Sequence, residues 1–291
     1  MSCNEQESLA LAQEKADTKV FLCAKHASES HVVCIETVDS DIHLYALYFH
    51  EFLNGVSLII NYVVNKRRRV ININNIAEEL GVKCCRAIPA LNAFTGNDYT
   101  SAFYGIGKSK AFNLMKDSDE FQTTFSLFGN SFEFDANLFA SIESFVCAMY
   151  GRKCSNTNEA RYKKFCSSKK KTPEPQKLPP TRDALLCHCK RVSYVTALVK
   201  RSLENSPQVP SPVNHGWIME NNMLTIDWML LPIAPPNVLD LISCNCSKTM
   251  CRTQACVCRS HCLKCTDLCG CAEPCENIDV LSDDDVNDND E

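Results

Sequence analysis

The chain concentrates its cysteines near the carboxyl end. Ten of its 20 cysteines fall between residues 244 and 275. Thiolates prefer zinc, which binds four of them in a tetrahedron. A segment this short with few apolar residues cannot fold by burial alone, so we expect metal to supply the folding energy. Nine thiols have a spacing suited to this task, and they are Cys244, Cys246, Cys251, Cys256, Cys258, Cys265, Cys269, Cys271 and Cys275.

Nine thiolates cannot fill the twelve positions of three separate tetrahedra, so a cluster of about three structural Zn²⁺ ions needs three bridging sulfurs. The run resembles the CXC domain of the tesmin and TSO1 type, a zinc module that binds DNA in that family. The match extends to Lys248 and Asn277, whereas Cys262 is an additional thiol and Ala255 replaces a tyrosine that contacts DNA in the family.

Basic residues alternate with the thiols of this segment. Lys248, Arg252 and Arg259 would face phosphate if the module docks on a duplex. Alternatively, these cations only neutralise the negative charge of a zinc–thiolate cluster. Two further alternatives are a disulfide-linked knot, which is typical of secreted domains, and a zinc module that binds no ligand.

Carboxylates are distributed over several elements of the amino-terminal half. Glu14 and Asp17 lie three residues apart on a predicted helix, Asp39 and Asp41 follow a predicted strand, and Asp98 follows a turn. Acids gathered from separate elements repel one another unless a divalent cation bridges them, and two such ions can activate water against a phosphodiester. Each acid also has a structural explanation, since Asp39 can cap the helix that follows it.

The order of these acids resembles the PIN-like fold of flap endonucleases. The resemblance runs from about residue 10 to residue 120 and includes a Gly-x-Asp-Tyr motif at residues 96–99 and Gly-Ile-Gly at residues 105–107. It implies catalytic roles for the five acids with Mg²⁺ or Mn²⁺. Independently of the family, Gly105 and Gly107 favour a tight turn whose backbone N–H groups can donate hydrogen bonds to phosphate, and Lys108 and Lys110 add positive charge.

Two departures favour an incomplete or inactive nuclease. Lys15 stands beside Glu14 where the family has an acid, and the family's earlier strands, with further aspartates, have no counterpart here. We therefore expect a partial sheet, completed by a protein partner or by an upstream segment. The order of segments in the whole chain also resembles that of animal proteins associated with mobile elements.

Periodicity predicts an α/β fold with a partial PIN-like parallel sheet. The expected elements are a helix over 7–28, a strand over 31–38 buried on both faces, a helix over 42–53, a strand over 56–64, a charged bend over 66–69, a strand over 70–73, a helix over 75–80 capped by Asn74, and helices over 89–94, 108–115 and 135–150.

Composition shifts divide the chain into five parts. We expect the nuclease-like domain over 1–168, a Pro/Lys-rich extended linker over 169–180, a basic helix with a Trp hairpin over 181–241, the CXC module over 242–278 and an acidic disordered tail over 279–291. Cys187-His188-Cys189 resembles a zinc motif, but residues two apart on a helix point in different directions, so we expect ordinary packing there.

Composition and charge limit the classes of function that this chain can have. At 45% apolar and 22% charged residues, the chain is typical of a soluble protein, with no apolar run long enough for a membrane span and no secretory signal. Fourteen Lys or Arg against three acids between residues 151 and 201 suggest contact with phosphate. We expect a DNA-binding protein, nuclear or otherwise cytoplasmic. An active metal-dependent nuclease and a zinc-stabilised protein-interaction scaffold are the alternatives.

Overall fold

The computed structural model describes residues 16–27, 32–53, 55–64, 67–167, 174–204, 206–229, 244–246, 250–260, 264–265, 269–271 and 275–278. These residues form a mixed α/β structure, as predicted. The strands are β1 (Val32–Glu36), β2 (Ser57–Val64), β3 (Arg67–Asn72), β4 (Trp217–Glu220) and β5 (Met223–Ile226). The helices are α1 (Ala16–His26), α2 (Ser40–Phe49), α3 (Ile73–Leu80), α4 (Val82–Phe94), α5 (Lys108–Lys116), α6 (Asp119–Leu127), α7 (Phe139–Met149), α8 (Thr157–Cys166), α9 (Arg182–Lys200) and α10 (Val257–Ser260).

The first sheet has the order β1-β2-β3 and is only partly parallel. β1 pairs with β2 in parallel, and β3 pairs with β2 in antiparallel orientation. A parallel pair needs a long crossover connection, whereas only two residues separate β2 from β3. The prediction of a charged bend over 66–69 was therefore wrong for Arg67, Arg68 and Arg69, which begin β3.

Among the described strands, β1 lies at the edge of this sheet, and the side chains of its second face are exposed. Ile35 is buried, but Val32 is 55% exposed, and Cys34 and Glu36 are also exposed. The prediction of a strand buried on both faces was therefore wrong. Because a strand with one neighbour and one packed face buries only alternate side chains, an almost continuous apolar run does not guarantee two covered faces.

The helix boundaries depend on local capping. Asp39 caps α2 by accepting a hydrogen bond from the amide of Asp41, and Asn72 caps α3 by accepting one from the amide of Asn75. Asn74, the predicted cap, lies inside α3, where its side-chain oxygen accepts a 2.7 Å hydrogen bond from the Leu58 amide of β2. The asparagine therefore connects a helix to the sheet instead of starting the helix.

Helix α4 lies between two hydrophobic clusters and is nearly all buried. Cys85 and Ile88 join the first cluster, which α2 forms with the sheet, whereas Leu91 and Phe94 join the second, formed with α5, α6, α7 and α9. The predicted helix over 89–94 is thus the second half of a longer helix that contains Pro89. The predicted helices over 108–115 and 135–150 correspond to α5 and to α7 with the 3₁₀ turn before it.

The segment after the predicted linker packs into the second cluster. Leu185 and Val192 of α9 are fully buried there beside residues of α4 and α7. Leu178 is also buried, and the Pro179 carbonyl accepts a 2.7 Å hydrogen bond from the Arg161 guanidinium of α8. Helix α9 therefore shares a hydrophobic cluster with α4 and α7, and Leu178 and Pro179 just before it are buried, whereas residues 175–177 are exposed.

The predicted Trp hairpin is confirmed as the antiparallel pair β4 and β5. Asn221 and Asn222 form its turn with φ of 51° and 60°, the left-handed values that a tight two-residue hairpin requires. Arg191, a buried residue of α9, donates a 3.1 Å hydrogen bond to the Gly216 carbonyl just before β4. One buried cation of α9 thus attaches the hairpin to the helical core.

Within the described residues, no helix combines the length and the apolar character needed to cross a membrane. Glu14, Lys248, Cys262 and the acidic tail over 279–291 lie outside the described residues, as does the first part of the predicted helix over 7–28.

A contact between a loop and α9 tests the packing of the helical core. Gly129 has φ of +72°, and a Cβ there would lie 2.6 Å from the Ala197 amide nitrogen. We expect Gly129→Ala to lower the free energy of unfolding by roughly 3 kcal/mol, through steric overlap and left-handed strain together, measured by urea denaturation.

Gly151 supplies the matched control, because its φ is +66° but no atom lies within 4 Å of a Cβ added there. Gly151→Ala should cost about 1 kcal/mol, from backbone strain alone. Equal losses for the two variants would contradict the close packing of the 129 loop on α9.

Candidate metal centre

The carboxyl-terminal cysteines form a third cluster in which sulfur replaces hydrocarbon. The buried members are Cys244, Cys251, Cys256, Cys258 and Cys265, with Cys246, Cys269, Cys271 and Cys275 partly buried around them. All nine predicted ligand thiols therefore belong to one cluster. A core of this composition resembles the interior of a metal–thiolate site more than that of an ordinary small domain.

The sulfur atoms form three groups of four, and within each group all sulfurs lie within 4.8 Å of one another. The groups are Cys244, Cys251, Cys256 and Cys265, then Cys244, Cys258, Cys265 and Cys269, then Cys251, Cys265, Cys271 and Cys275. Each group can hold a metal ion. Cys246 belongs to the cluster but to none of these three groups among the described residues.

The distances between sulfurs match tetrahedral coordination. Cys244 Sγ lies 3.6 Å from Cys251 Sγ and 3.7 Å from Cys265 Sγ, and Cys258 Sγ lies 3.5 Å from Cys269 Sγ. Zn–S bonds of about 2.3 Å in a tetrahedron give an S–S edge of about 3.8 Å, whereas a disulfide is about 2.05 Å long. Cys244, Cys251 and Cys265 are not joined in disulfides. The geometry thus favours metal ligation over the disulfide-linked alternative.

Three buried sulfurs are shared between groups. Cys244 and Cys251 each belong to two groups, and Cys265 belongs to all three. Sharing of this kind is what bridging thiolates require when nine ligands serve more than two ions. Which sulfurs would be shared did not follow from the spacing, because it depends on how the chain folds back on itself.

The backbone of the module is held by hydrogen bonds between distant residues. The Cys265 amide donates to the Asn277 carbonyl at 2.8 Å, and the Gly270 amide donates to the Cys244 carbonyl at 2.8 Å. Met250 and Cys251 adopt left-handed φ values of 47° and 57°. Such strain in two successive non-glycine residues persists only where surrounding interactions over-determine it, as a metal cluster would.

Asn277 supports the most shared sulfur. Its side chain is buried, and its Nδ2 donates a 3.3 Å hydrogen bond to Cys265 Sγ. An N–H donor aimed at sulfur stabilises the thiolate that a metal needs. In the absence of metal, burial raises the pKa of Cys258 and that of Cys271 to about 12, so an incoming ion must displace their protons.

The basic side chains of the module are partly engaged with Glu276. The Arg252 guanidinium forms an ion pair with the Glu276 carboxylate, and the Arg259 guanidinium donates to the Glu276 carbonyl at 3.4 Å. The hydrogen bond from Arg252 holds the pKa of Glu276 below its usual range. Sequence reasoning missed this acid, although its position directly after the last cysteine places it within reach of both arginines.

The described carboxylates are not gathered into a metal-binding group. Asp17 lies in the first turn of α1, Asp39 and Asp41 lie at the start of α2, and Asp98 lies in the turn after α4. Among the described residues, groups of three or more potential ligands include only cysteines. The catalytic role of these acids and of Glu14 therefore stays a prediction.

The glycine loop precedes a helix, as predicted. Gly105 has φ of +71°, and Gly107 is the residue before α5, with open space around both. Lys110 is exposed, but Lys108 Nζ donates a 2.6 Å hydrogen bond to the buried Asn92 side chain of α4. Lys108 thus anchors the loop to α4, a contact between two elements that spacing does not indicate.

The Cys187-His188-Cys189 motif belongs to the core, as predicted. All three residues are buried in α9, and the His188 ring contacts Phe94 and Phe103. His188 Nε2 lies 2.8 Å from the Phe94 carbonyl, which only accepts, so the ring donates there. Burial lowers the pKa of His188 to about 4 and raises that of Cys189 above its usual range.

Comparison of this chain with models of protein families, with curated proteins and with solved structures found no match. Function is therefore inferred from the residues and their geometry.

Asn277→Ala tests the support of Cys265. The variant keeps the backbone carbonyl but removes the N–H donor, so we expect zinc affinity, measured by chelator competition, to fall roughly 10- to 100-fold. The neighbouring Ile278→Ala changes an exposed side chain and should leave the affinity unchanged. Equal effects of both substitutions would contradict a specific role for the bond to sulfur.

His188 predicts a pH dependence of stability. An unfolded histidine has a pKa of about 6.5, so as the pH falls below that value the unfolded state binds a proton before the folded state does. The contribution of neutral His188 is complete above pH 6.5 and decreases towards pH 4, by roughly 3 kcal/mol in total.

Urea denaturation at pH 7 and pH 4.5 measures this effect. His188→Gln should lose less stability on acidification than the wild-type chain does, and the exposed His26→Gln should behave like wild type. An unchanged dependence in His188→Gln would contradict a buried neutral ring.

Proposed function

We propose that this chain is a nucleic-acid-binding protein, with DNA as its ligand, and that its carboxyl-terminal cysteines hold three zinc ions. The observation that carries the proposal is the sharing of Cys244, Cys251 and Cys265 among the four-sulfur groups. Zinc suits this donor set because it is redox-inert and prefers tetrahedral sulfur. The spacing of the thiols and its resemblance to the CXC domain support the choice of nucleic acid as ligand.

The proposed cluster assigns every one of the nine thiols. Cys244, Cys251 and Cys265 bridge pairs of ions, because they are the sulfurs that recur between groups. Each ion then needs two terminal ligands. These are Cys258 with Cys269 for one ion, Cys271 with Cys275 for the second, and Cys256 with Cys246 for the third.

Arginine side chains beside the cluster are the proposed phosphate contacts. Arg252 is paired with Glu276, but both side chains remain about half exposed, at 59% and 47%. Exposed ion pairs contribute only about 0–1 kcal/mol, so a phosphate can replace the carboxylate at little cost. Lys248 and Arg259 complete the proposed contact surface. The described carboxylates form no three-ligand group, so we propose binding rather than phosphodiester hydrolysis.

Metal content and salt dependence test the proposal together. The reduced full chain should contain about three zinc ions, and its affinity for a labelled duplex should fall steeply with KCl because binding releases counterions. Arg252→Gln/Arg259→Gln should reduce the slope of log affinity against log salt by about 2. Chelation of the metal should abolish the contribution of this module to the affinity for the duplex.

The charge-matched control is Lys25→Gln/Lys116→Gln, which removes two exposed cations outside the module. This control should bind like wild type. Negligible zinc in a reduced, folded sample, or a flat salt dependence, would contradict the proposal.

A further inference from the structure

Strand β3 carries an unusual concentration of uncompensated charge. Arg67, Arg68 and Arg69 are all exposed, and within the described part of the chain none of them forms an ion pair. Other cations of the fold are paired, for example Lys83 with Asp119 and Arg182 with Glu143. Three adjacent guanidinium groups repel one another, and a bound anion would offset this repulsion.

The zinc module by itself is poorly suited to attract a polyanion. In the proposed cluster, nine thiolates outweigh three divalent ions by about three charges, which offsets most of the four Lys and Arg between residues 244 and 278. Three acids in the same stretch add further negative charge. Attraction of DNA to this chain therefore requires positive charge outside the module.

The sheet geometry separates the three arginines into two roles. Arg68 projects to the uncovered face, where its Nε donates a 2.7 Å hydrogen bond to the side-chain oxygen of the buried Asn61. Arg69 is paired with Tyr62 of β2, so these two side chains share the face that α2 covers, and Arg67 follows on the same face. Arg68 thus has a structural role, whereas Arg67 and Arg69 are the candidates for contact with a ligand.

Arg67 and Arg69 lie where sheets of this kind bind ligands. β3 starts beside the carboxyl end of β2, and the Tyr62 ring there contacts the His43 ring of α2 with centroids 5.0 Å apart. Ligands of α/β proteins bind outside the carboxyl ends of parallel strands. Among the described residues, no ion pair joins Asp39 or Asp41 at this end to an arginine of β3.

We infer that Arg67 and Arg69 form a second phosphate-binding surface, which holds the backbone of the same nucleic acid that the zinc module binds. The inference deepens the proposed function, on which its ligand rests. Guanidinium groups bind phosphate oxygens with two parallel hydrogen bonds, and two residues apart on a strand they lie about 7 Å from each other. The contact reads no base, so it adds affinity rather than sequence specificity.

A four-protein cycle tests the inference with the full chain. Wild type, Arg67→Gln/Arg69→Gln, Arg252→Gln/Arg259→Gln and the quadruple variant are titrated with a fluorescein-labelled duplex over a KCl series. We expect the β3 double variant to bind roughly tenfold more weakly at low salt and to lose about 2 from the salt slope. Because the two surfaces share no residue, their effects should multiply.

Two controls accompany the cycle. Arg67→Lys/Arg69→Lys keeps the charge and should retain most of the affinity and the full salt slope. Lys25→Gln/Lys116→Gln removes the same charge elsewhere and should bind like wild type. Zinc content and the thermal midpoint of every variant show whether the change is local.

The outcomes separate this inference from the proposed function. If only the module variant weakens binding, the β3 surface is overturned and the module stands. If only the β3 variant does so, the module proposal fails and the β3 surface stands. Unchanged affinity with increased aggregation of the β3 variant would show that the arginines only protect a sheet edge. Competition by polyglutamate as effective as that by DNA would identify an acidic protein as the ligand and overturn the inference.

Discussion

The carboxyl-terminal segment is organised around converging cysteine sulfurs that can hold metal ions. Among the described residues of this segment, the buried side chains are those of Cys244, Cys251, Cys256, Cys258, Cys265 and Asn277. Deprotonated sulfurs repel one another at about 4 Å, so their assembly requires cations between them. The left-handed backbone at Met250 and Cys251 and the hydrogen bonds between distant backbone groups accompany this convergence.

The rest of the described chain is organised around buried apolar side chains. Helix α4 is buried along nearly its whole length, and it packs against α2 and α3 of the first cluster and against α5, α6 and α9 of the second. Burial of apolar surface on both sides of one helix couples the two clusters energetically. Two of the buried polar side chains of α9, those of His188 and Arg191, each donate a hydrogen bond to a backbone carbonyl.

Some arginines of the described structure are paired with an acid, and others are not. Arg252 and Arg259 both lie against Glu276, whereas Arg67 and Arg69 have no acidic partner in the described structure. In our proposal, a phosphate replaces the Glu276 carboxylate at the first pair of arginines and binds directly to the second pair. The negative zinc–thiolate cluster that we propose makes the second kind of surface necessary for strong attraction to a polyanion.

Much of the local structure was predictable because it depends on neighbouring residues. Periodicity indicated α2, α5 and α7, and the Asn221-Asn222 pair indicated the hairpin, because such patterns act over a few residues. The direction of β3 and the exposure of β1 were not predictable in the same way, since they depend on which strands become neighbours. The cap of α3 was misplaced by two residues because Asn74 bonds to the sheet instead.

By itself, the sequence predicted a cysteine cluster, and the nine predicted thiols do lie together, because the number and spacing of one residue type indicate such a cluster. Only the tertiary structure decided which sulfurs are shared, that Glu276 engages the arginines, and that residues 182–200 pack into the core of the preceding helices. These features are contacts between residues far apart in the chain. Such contacts depend on long-range packing, which no local pattern encodes.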